Sequence, residues 1–295
     1  MKILSLGAVL LDQIASVERF PGEDDEVFVP GLKLLPGGSA ANFAVFCARL
    51  GESVGFVGKV GNDAFGDFLI QDLKGEKVET KGVAKSSLPT GTVFIAVRKD
   101  GQRMMFAHSG AANNLRDSDI ELHYINRFDH LHLADIENIA VLKYVAENFK
   151  GTISLNPGAL IAEKPKAALE LIKHVDILIC SEGEALRLSS KKSVDDALAF
   201  FIKLGVKVVV ITRGAKSPAA FDREKKIEAP VFKVNVVDAT GAGDSFSAGF
   251  VCSYLQTKDL KTSLRFANAV ASIVIQHSGA RAGLRNRAQV EALLK

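Results

Sequence analysis

The sequence predicts an α/β protein with a mainly parallel central sheet, helices on both faces of that sheet, and a small antiparallel β lid. Short apolar runs without polar interruption alternate with segments of helical periodicity through most of the 295 residues. Such runs are typical of parallel strands that are buried on both faces. The alternation breaks at residues 13–35 and 90–108, where turn-punctuated patterns lack an intervening helix. We expect one domain over residues 1–295, with these two stretches forming the lid.

Six apolar runs are predicted to form buried strands: Ile3–Leu6, Val54–Val57, His130–Leu133, Thr152–Leu155, Asp176–Cys180 and Val206–Ile211. Five segments between them have the 3.6-residue periodicity of amphipathic helices: Ser39–Leu50, Ala64–Lys74, Ile139–Phe149, Pro165–His174 and Val194–Leu204. Parallel sheets of this kind bind ligands beyond the carboxyl ends of their strands. A site is therefore expected at that edge of the sheet.

The predicted lid segments have hairpin character. In the second of them, T-V-F-I-A-V-R is followed by the turn K-D-G and then by Q-R-M-M-F-A-H. A small β lid of this kind can close over a site and exclude water. The alternative is a pair of edge hairpins on the main sheet. Apolar lid strands with exposed edges would also suit a homodimer in which two lids meet.

Composition argues against several classes of partner. The chain has 37 basic and 34 acidic side chains, a net charge of +3, which gives no reason to expect nucleic acid or a membrane surface as a partner. No apolar run approaches the roughly 18 residues that a membrane helix needs. The three cysteines lack the spacing of a zinc site or a disulfide framework. We therefore expect a cytoplasmic protein that acts on small molecules.

The segment V-V-D-A-T-G-A-G-D-S-F-S-A-G-F, residues 236–250, has the features of an anion site. Val234–Val237 is interpreted as a strand, and Phe246, Phe250 and Tyr254 recur at the spacing of one helix face. The intervening Gly241, Ala242 and Gly243 would then form a strand-to-helix turn. Unpaired backbone N–H groups at a helix N-terminus attract phosphate oxygens, and glycine lets a ligand approach the backbone closely.

Asp244 needs a separate explanation, because its carboxylate would repel a phosphate bound at this turn. One interpretation is a general base that accepts the proton of a hydroxyl as that hydroxyl attacks phosphorus. Simple helix capping and another nucleotide chemistry are the alternatives. The chain has no G-x-x-x-x-G-K-[ST] phosphate-binding loop, and G-A-G-D-S-F lacks the third glycine of a dinucleotide fingerprint.

A second glycine-rich segment, L-P-G-G-S-A-A-N-F-A, occupies residues 35–44. Ser39 would cap the following helix, and Asn42 would lie in its first turn, where its amide can both donate and accept. With Asp12, after the first strand, Asn42 offers the hydrogen-bonding groups that a polyhydroxylated substrate needs. A plain turn with a capping asparagine explains the same residues equally well.

Together these segments resemble the two signatures of the ribokinase-like (PfkB) carbohydrate and nucleoside kinase family. D-A-T-G-A-G-D-S-F-S-A-G-F is similar to the C-terminal signature, and P-G-G-S-A-A-N-F-A followed by G-K-V-G-N-D-A-F-G-D is similar to the N-terminal one. The resemblance extends over the whole chain and implies a Rossmann-like αβα sandwich with a β lid. It implies phosphoryl transfer from ATP, or alternatively ADP, to the hydroxymethyl group of a sugar or nucleoside.

The resemblance also implies roles for individual residues. Asp244 corresponds to the catalytic base, and Gly241, Ala242 and Gly243 correspond to the anion hole. Asp12, Gly38 and Asn42 correspond to the contacts with substrate hydroxyls. Nucleotide contacts are expected at Thr212 and Gly214 of I-T-R-G-A-K-S, at the Gly241 and Gly243 turn, and at Asn268.

Two metal sites are implied in the same way. Glu184 corresponds to the acid of an N-x-x-E motif that holds Mg²⁺ through water, although Ser181 stands in place of the asparagine. Asp238 and residues 276–283 correspond to the neighbourhood of a monovalent-cation site, where K⁺ is the ion expected. Asp238 could equally fix the loop that precedes the glycines.

The identity of the acceptor is left open by the sequence. A furanose sugar or a nucleoside is favoured as acceptor. The alternative is a sugar phosphate, which would make the protein a phosphofructokinase-like or ribose-phosphate kinase. Arg103 or His108 could hold a phosphate, whereas Met105 and Phe106 could pack on a base, although strand residues of this type are more often core. A non-catalytic sensor of sugars or nucleosides on the same fold is the alternative from another class.

Overall fold

The computed structural model describes all 295 residues and contains two sheets. The larger has nine strands in the order β13-β12-β11-β10-β9-β8-β1-β4-β5. Their bounds are β1 Lys2–Leu6, β4 Ser53–Gly61, β5 Glu79–Ser86, β8 His130–Ala134, β9 Thr152–Asn156, β10 Ile177–Ser181, β11 Val208–Arg213, β12 Lys216–Phe221 and β13 Lys226–Glu228. Strands β11 to β5 in this order are parallel, and β12 and β13 add an antiparallel edge.

Helices cover both faces of this sheet. Their bounds are α1 Ser39–Arg49, α2 Ala64–Gly75, α3 Leu122–Ile125, α4 Ile139–Asn148, α5 Gly158–Ala162, α6 Pro165–Ile172, α7 Glu182–Ser189, α8 Val194–Leu204, α9 Ala242–Thr257, α10 Leu260–Val274 and α11 Arg287–Leu294. Helices α1, α2, α9, α10 and α11 pack on one face, and α3 to α8 pack on the other. No helix is both long enough and apolar enough to cross a membrane.

The apolar strands divide their side chains between two cores of nearly equal size. In β1, Ile3 belongs to a core of 38 buried residues, whereas Leu4 and Leu6 belong to one of 37 on the opposite face. Successive strand side chains point to opposite faces, so a strand buried on both sides must be apolar throughout. The unbroken apolar runs are therefore confirmed as central parallel strands, and the predicted α/β class is confirmed.

The second sheet has four strands, β2 Leu10–Val17, β3 Leu32–Gly37, β6 Thr92–Arg98 and β7 Arg103–His108, in the order β3-β2-β6-β7. Its two hairpins are antiparallel, as predicted, but its central pair, β2 and β6, is parallel. The reason is that β1 and β5 run in the same direction in the main sheet. Strands β2 and β6, which follow β1 and β5 in the chain, therefore extend from the same edge of the main sheet in the same direction.

The strand predicted at Val234–Val237 is wrong. This segment belongs to no sheet, and Val236 and Val237 are 58% and 59% exposed. The backbone N–H groups of Val237 and Asp238 both donate to the carbonyl of Ile275, just after α10, at 2.8 and 3.2 Å. The segment has the amino-acid composition of a strand, but its N–H groups bond to the end of a helix and not to a neighbouring strand. The helix predicted after the turn is present and begins at Ala242, so Ala242 and Gly243 belong to its first turn.

Candidate active site

The residues predicted to be functional gather beyond the carboxyl ends of the parallel strands. Three of the residues in this region are Asp12 in β2, Asp135 directly after β8, and Thr212 near the end of β11. The N-termini of α1 and α9 meet there from one face of the sheet. The fold therefore brings residues from distant parts of the chain to one edge, where ligands of such sheets bind.

The turn before α9 has the geometry expected of an anion site, with one difference. Gly241 has φ +78°, and a Cβ there would clash with the carbonyl oxygen of Ala280, so only glycine fits. The N–H groups of Gly241 and Gly243 donate to no other group in the chain, whereas that of Ala242 donates to the Ala239 carbonyl at 3.2 Å. Two of the three predicted anion-hole residues thus present a free N–H group.

Asp244 lies in the first turn of α9 and is held by a single side chain. Its Oδ2 accepts a hydrogen bond of 2.8 Å from Nδ2 of Asn42, in the first turn of α1. Burial raises the pKa of Asp244 to about 6, against the opposing effects of the Asn42 hydrogen bond and the Arg281 charge. A carboxylate with this pKa is ionised at neutral pH and can still accept a proton, as a general base must.

Asp12 faces the same space as Asp244. Burial is the main cause that raises the pKa of Asp12 to about 6; the charge of Asp244 raises it further, and that of Arg281 opposes the change. No side chain or N–H group donates to the Asp12 carboxylate, which leaves its oxygens available to a ligand. Gly38, the cap of α1, has φ +93°, and a Cβ there would lie 2.5 Å from the Ala8 carbonyl oxygen. Glycine is therefore required where the chain turns into α1.

Asp238 and Arg103 join the loop before α9 to the small sheet. Asp238 Oδ1 accepts hydrogen bonds from the N–H and hydroxyl of Thr240, at 2.9 and 2.6 Å, and its Oδ2 accepts one from the Gly279 N–H at 3.0 Å. Arg103, on β7, donates to the Thr240 hydroxyl at 2.9 Å and lies 3.8 Å from Asp238. These hydrogen bonds keep the pKa of Asp238 low despite its partial burial.

Four of the five predicted nucleotide-binding residues line one open cleft of about 860 Å³, and the fifth, Gly241, does not. Its wall includes Thr212, Gly214, Ala242, Gly243, Phe246 and Asn268. Asn268 is buried and its amide donates to the carbonyls of Ala229 and Pro230, at 3.2 and 3.0 Å, so it shapes the wall. Because Gly243 lies in the cleft wall, a ligand that fills the cleft would reach the free N–H group of Gly243.

Glu184 performs a local structural function. Its carboxylate accepts from the Ser181 N–H at 2.8 Å, and the Ser181 hydroxyl accepts from the Glu184 N–H at 3.3 Å, which is a capping box at the start of α7. The serine that replaces the expected asparagine is therefore the helix cap. No group of three or more His, Cys, Asp and Glu side chains is arranged to hold a metal ion.

Asp135 is a candidate site residue that the sequence did not predict. Burial raises its pKa to about 7, and the charges of Glu184 and Asp244 raise it further, against hydrogen bonds from the N–H groups of Leu160 and Ile161. The available signal was an acid directly after the buried strand β8. Repulsion between Asp135 and Glu184 would be relieved by a divalent cation with oxygen ligands, so these residues fit Mg²⁺.

Comparison with known proteins identifies the class to which this fold and site belong. The model of the pfkB family of carbohydrate kinases matches residues 1–287. The chain belongs to this family, and it is accordingly a phosphotransferase with an alcohol group as acceptor. More particularly, it is a sugar or nucleoside kinase of the ribokinase family, as its relatives indicate.

Two relatives illustrate the range of acceptors. The chain is 30% identical to the ribokinase of Staphylococcus aureus over 303 residues, which cover 96% of each chain. It is 31% identical to the nucleoside kinase of Methanothermobacter thermautotrophicus over 288 residues, which cover 96% of this chain and 92% of the relative. The similarity is the same to a sugar kinase and to a nucleoside kinase, so it does not select between these acceptors.

Solved structures give the same fold. The Thermotoga maritima ribokinase has a TM-score of 0.91 and 30% identity, and covers 99% of this chain and 98% of its own. The Arabidopsis thaliana ribokinase solved with ribose and ATP has a TM-score of 0.86 and 30% identity, over 100% and 98%. A ribokinase-type protein of E. coli solved with ATP and Mg²⁺ has a TM-score of 0.89 and 26% identity, over 99% and 98%.

Proposed function

We propose that this kinase transfers the γ-phosphoryl group of ATP to the hydroxymethyl group of an unphosphorylated sugar or nucleoside. The observation that supports this most strongly is the position of Asp244. Asp244 directly follows Gly243 of the nucleotide-sized cleft wall and lies close enough to Asp12 for its charge to raise the Asp12 pKa, so it stands at a junction between the cleft and that acid. A base at that junction can reach an acceptor hydroxyl on one side and a transferred phosphoryl group on the other.

The chain's own residues would act as follows. The acceptor hydroxyl would lie against Asp244, which accepts its proton as the oxygen attacks the γ-phosphorus; the bond from that phosphorus to the bridging oxygen breaks, and ADP leaves with the electron pair. The N–H groups of Gly241 and Gly243 then stabilise the negative charge that develops on the transferred group. Asn42 donates to Asp244 Oδ2, so the other oxygen of that carboxylate is the one available to the proton.

Mg²⁺ is the expected metal, and Glu184 and Asp135 would hold it, through water in the case of Glu184. The bound metal would supply neutralisation of the charge on the nucleotide phosphates. ATP is favoured over ADP as donor because two similar structures were solved with ATP.

For Asp238 we favour a loop-fixing role. Three donors from Thr240 and Gly279 already satisfy its carboxylate, which leaves less of it available to K⁺. Dependence on a monovalent cation is tested by comparing turnover in potassium and in tetramethylammonium chloride. We expect equal turnover in the two salts, and turnover that requires potassium would contradict the loop-fixing role alone.

The charges around the acceptor space favour a neutral acceptor over a sugar phosphate. The Asp12 carboxylate, which receives no hydrogen bond from the chain, can accept hydrogen bonds from hydroxyls and would repel a phosphate. Arg103 is the predicted phosphate-binding residue, but its guanidinium is already bonded to Thr240 and close to Asp238. Met105 and Phe106 are 59% and 63% exposed, so they are not core, and contact with a nucleoside base is compatible with their positions.

The small sheet is proposed to act as the lid. Arg103 already ties it to the loop before α9, as a cover over the acceptor would require. Leu32, Leu34, Phe94 and Phe106 are exposed on this sheet, which supports the proposal of a homodimer through the lid. Light scattering coupled to gel filtration tests that proposal, and a monomer at all concentrations would reject it.

The experiment that tests the proposed function is a panel of acceptors with ATP or ADP and Mg²⁺. Ribose, other furanose sugars, nucleosides and sugar phosphates are offered separately, and phosphorylated product is detected by ³¹P NMR. We expect transfer from ATP to a neutral acceptor. Transfer confined to sugar phosphates would overturn the proposed acceptor class, and transfer confined to ADP would overturn the proposed donor.

A further inference from the structure

A buried arginine stands behind the site, outside the residues that the family signatures cover. Arg281 lies between α10 and α11 and is 8% exposed. Its Nε–H donates to Oδ1 of Asn42 at 2.7 Å, and its guanidinium forms an ion pair with Asp72 of α2. It also reaches the Gly37 carbonyl at 3.4 Å. Asp72, Arg281, Asn42 and Asp244 therefore form one continuous chain of hydrogen bonds.

We propose that Arg281 is a positioning residue that orients the Asn42 amide and, through it, the carboxylate of Asp244. This inference rests on the proposed role of Asp244 as the base. The arginine makes no hydrogen bond to Asp244 itself. It acts from behind α1, through the one side chain that holds the base.

The orientation follows from the chemistry of the groups. A guanidinium has five N–H donors and no acceptor, so the Asn42 atom that faces it must be the oxygen. The NH₂ group of Asn42 must then face Asp244, where it donates to Oδ2. Without Arg281 no donor faces the Asn42 oxygen, so the amide loses one of its two anchors and holds the Asp244 carboxylate less firmly in one orientation.

Asp72 explains why the arginine stays in place. Its carboxylate, on α2, accepts from one terminal nitrogen of the guanidinium, while the Nε–H donates to Asn42. A buried guanidinium is stable only when it is paired and its donors are satisfied. The ion pair therefore anchors the donor, and the donor orients the amide.

Arg281 also affects the charge balance of the site. The charged groups that face Asp244 are Asp12 from β2, Asp135 after β8, and Arg281 itself. Arg281 is the single cation among them, and it opposes the upward shift of the pKa values of both Asp12 and Asp244. Loss of this charge should make the base harder to ionise.

The test compares the full-length enzyme with its Arg281→Met variant. We expect kcat to fall about tenfold or more, as when an oriented catalytic group is misplaced, while KM for ATP changes less than about threefold. The acid limb of kcat/KM should move to higher pH by about one unit, as for loss of a nearby opposite charge. Unchanged kcat in folded Arg281→Met would overturn the proposal.

Arg49→Met is the matched control. Arg49 is a partly buried arginine that supports the same loop. It donates hydrogen bonds to the carbonyls of Arg281 and Leu284 and forms an ion pair with Glu76. It does not touch Asn42. We expect Arg49→Met to lower the melting temperature without moving the acid limb. An equal shift of the limb in both variants would show that loop stability alone is responsible and would overturn the positioning role.

A double-variant cycle tests whether the arginine acts through the amide. In an Asn42→Ala background, Arg281→Met should change kcat by less than about twofold, because the group it orients is absent. If the double variant lost kcat by the product of the two single-variant factors, the result would contradict action of Arg281 through Asn42. If Arg281→Met does not fold, Arg281→Lys replaces it, since lysine keeps the charge beside Asp72 but lacks the guanidinium fork; the same loss of kcat is expected, and full kcat would overturn the proposal.

The Asp244→Asn variant separates this proposal from the one on which it rests. Turnover that survives in Asp244→Asn would remove the assigned base, whatever the result at Arg281. Turnover that is lost in Asp244→Asn but complete in Arg281→Met would remove only the positioning role.

Discussion

Replacement of Asp12 by asparagine should stabilise the ligand-free protein while impairing its function. Burial raises the pKa of Asp12 from 3.8 to about 6, and no donor compensates the carboxylate. A carboxyl group with a raised folded-state pKa destabilises the protein above that pKa, and the effect disappears below the unfolded value. A shift of this size corresponds to at most about 3 kcal/mol, and solvent relaxation reduces it, so we expect a gain of about 1–3 kcal/mol at pH 7.5.

The assay is urea unfolding of the wild type and of Asp12→Asn at pH 7.5 and pH 5. Near pH 5 the gain should fall to about half, because the carboxyl group is then largely protonated in the folded state. KM for the acceptor should rise about tenfold or more, since a charged hydrogen-bond acceptor is lost. A variant that is no more stable than wild type at pH 7.5 would refute the reasoning.

Asp63→Asn is the matched control for that experiment, with the opposite sign. The Asp63 carboxylate accepts hydrogen bonds from the Gly66 N–H and from the N–H and hydroxyl of Thr90, and these bonds lower its pKa. The same substitution should therefore destabilise the protein at pH 7.5. The loss should diminish as the pH falls through the folded-state pKa.

Three further substitutions test other parts of the site. Gly241→Ala should destabilise the protein by about 1–3 kcal/mol through its positive φ and the clash with the Ala280 carbonyl, and lower kcat at least tenfold; wild-type kcat would refute the anion turn. Arg103→Met should raise KM for the acceptor severalfold through loss of the contact with Thr240, with a stability change within about 0.5 kcal/mol on thermal unfolding. Asn268→Ala should raise KM for ATP about tenfold, because two carbonyls of the cleft wall lose their donor; an unchanged KM would contradict that role.

The sequence predicts those parts of the fold in which local pattern and burial agree. Each unbroken apolar run became a central strand because both faces of the sheet are covered. The turn before α9 was predictable because glycine is the residue that accepts a positive φ, which Gly241 has in the structure. Ser39–Leu50 was predicted as a helix with Asn42 in its first turn, and the structure places Asn42 on Asp244.

The remaining features depend on contacts between residues far apart in the chain. Val234–Val237 has the composition of a strand, but its N–H groups meet the end of α10 and no neighbouring strand is available. Asp135 has no motif around it, and its importance comes from Glu184 and Asp244, which only the fold brings near. Arg281 resembles any surface cation in a basic stretch until the ion pair with Asp72 buries it.

The most direct test of the central claim is the single-turnover rate of phosphoryl transfer in Asp244→Asn, measured against pH with the best acceptor and ATP. The asparagine is nearly isosteric with the aspartate, so binding should be nearly unchanged. The rate should fall about 10²–10⁴-fold, and the wild-type acid limb, with an apparent pKa near 6, should be lost. A rate within threefold of wild type with the same acid limb would contradict the assignment of Asp244 as the base.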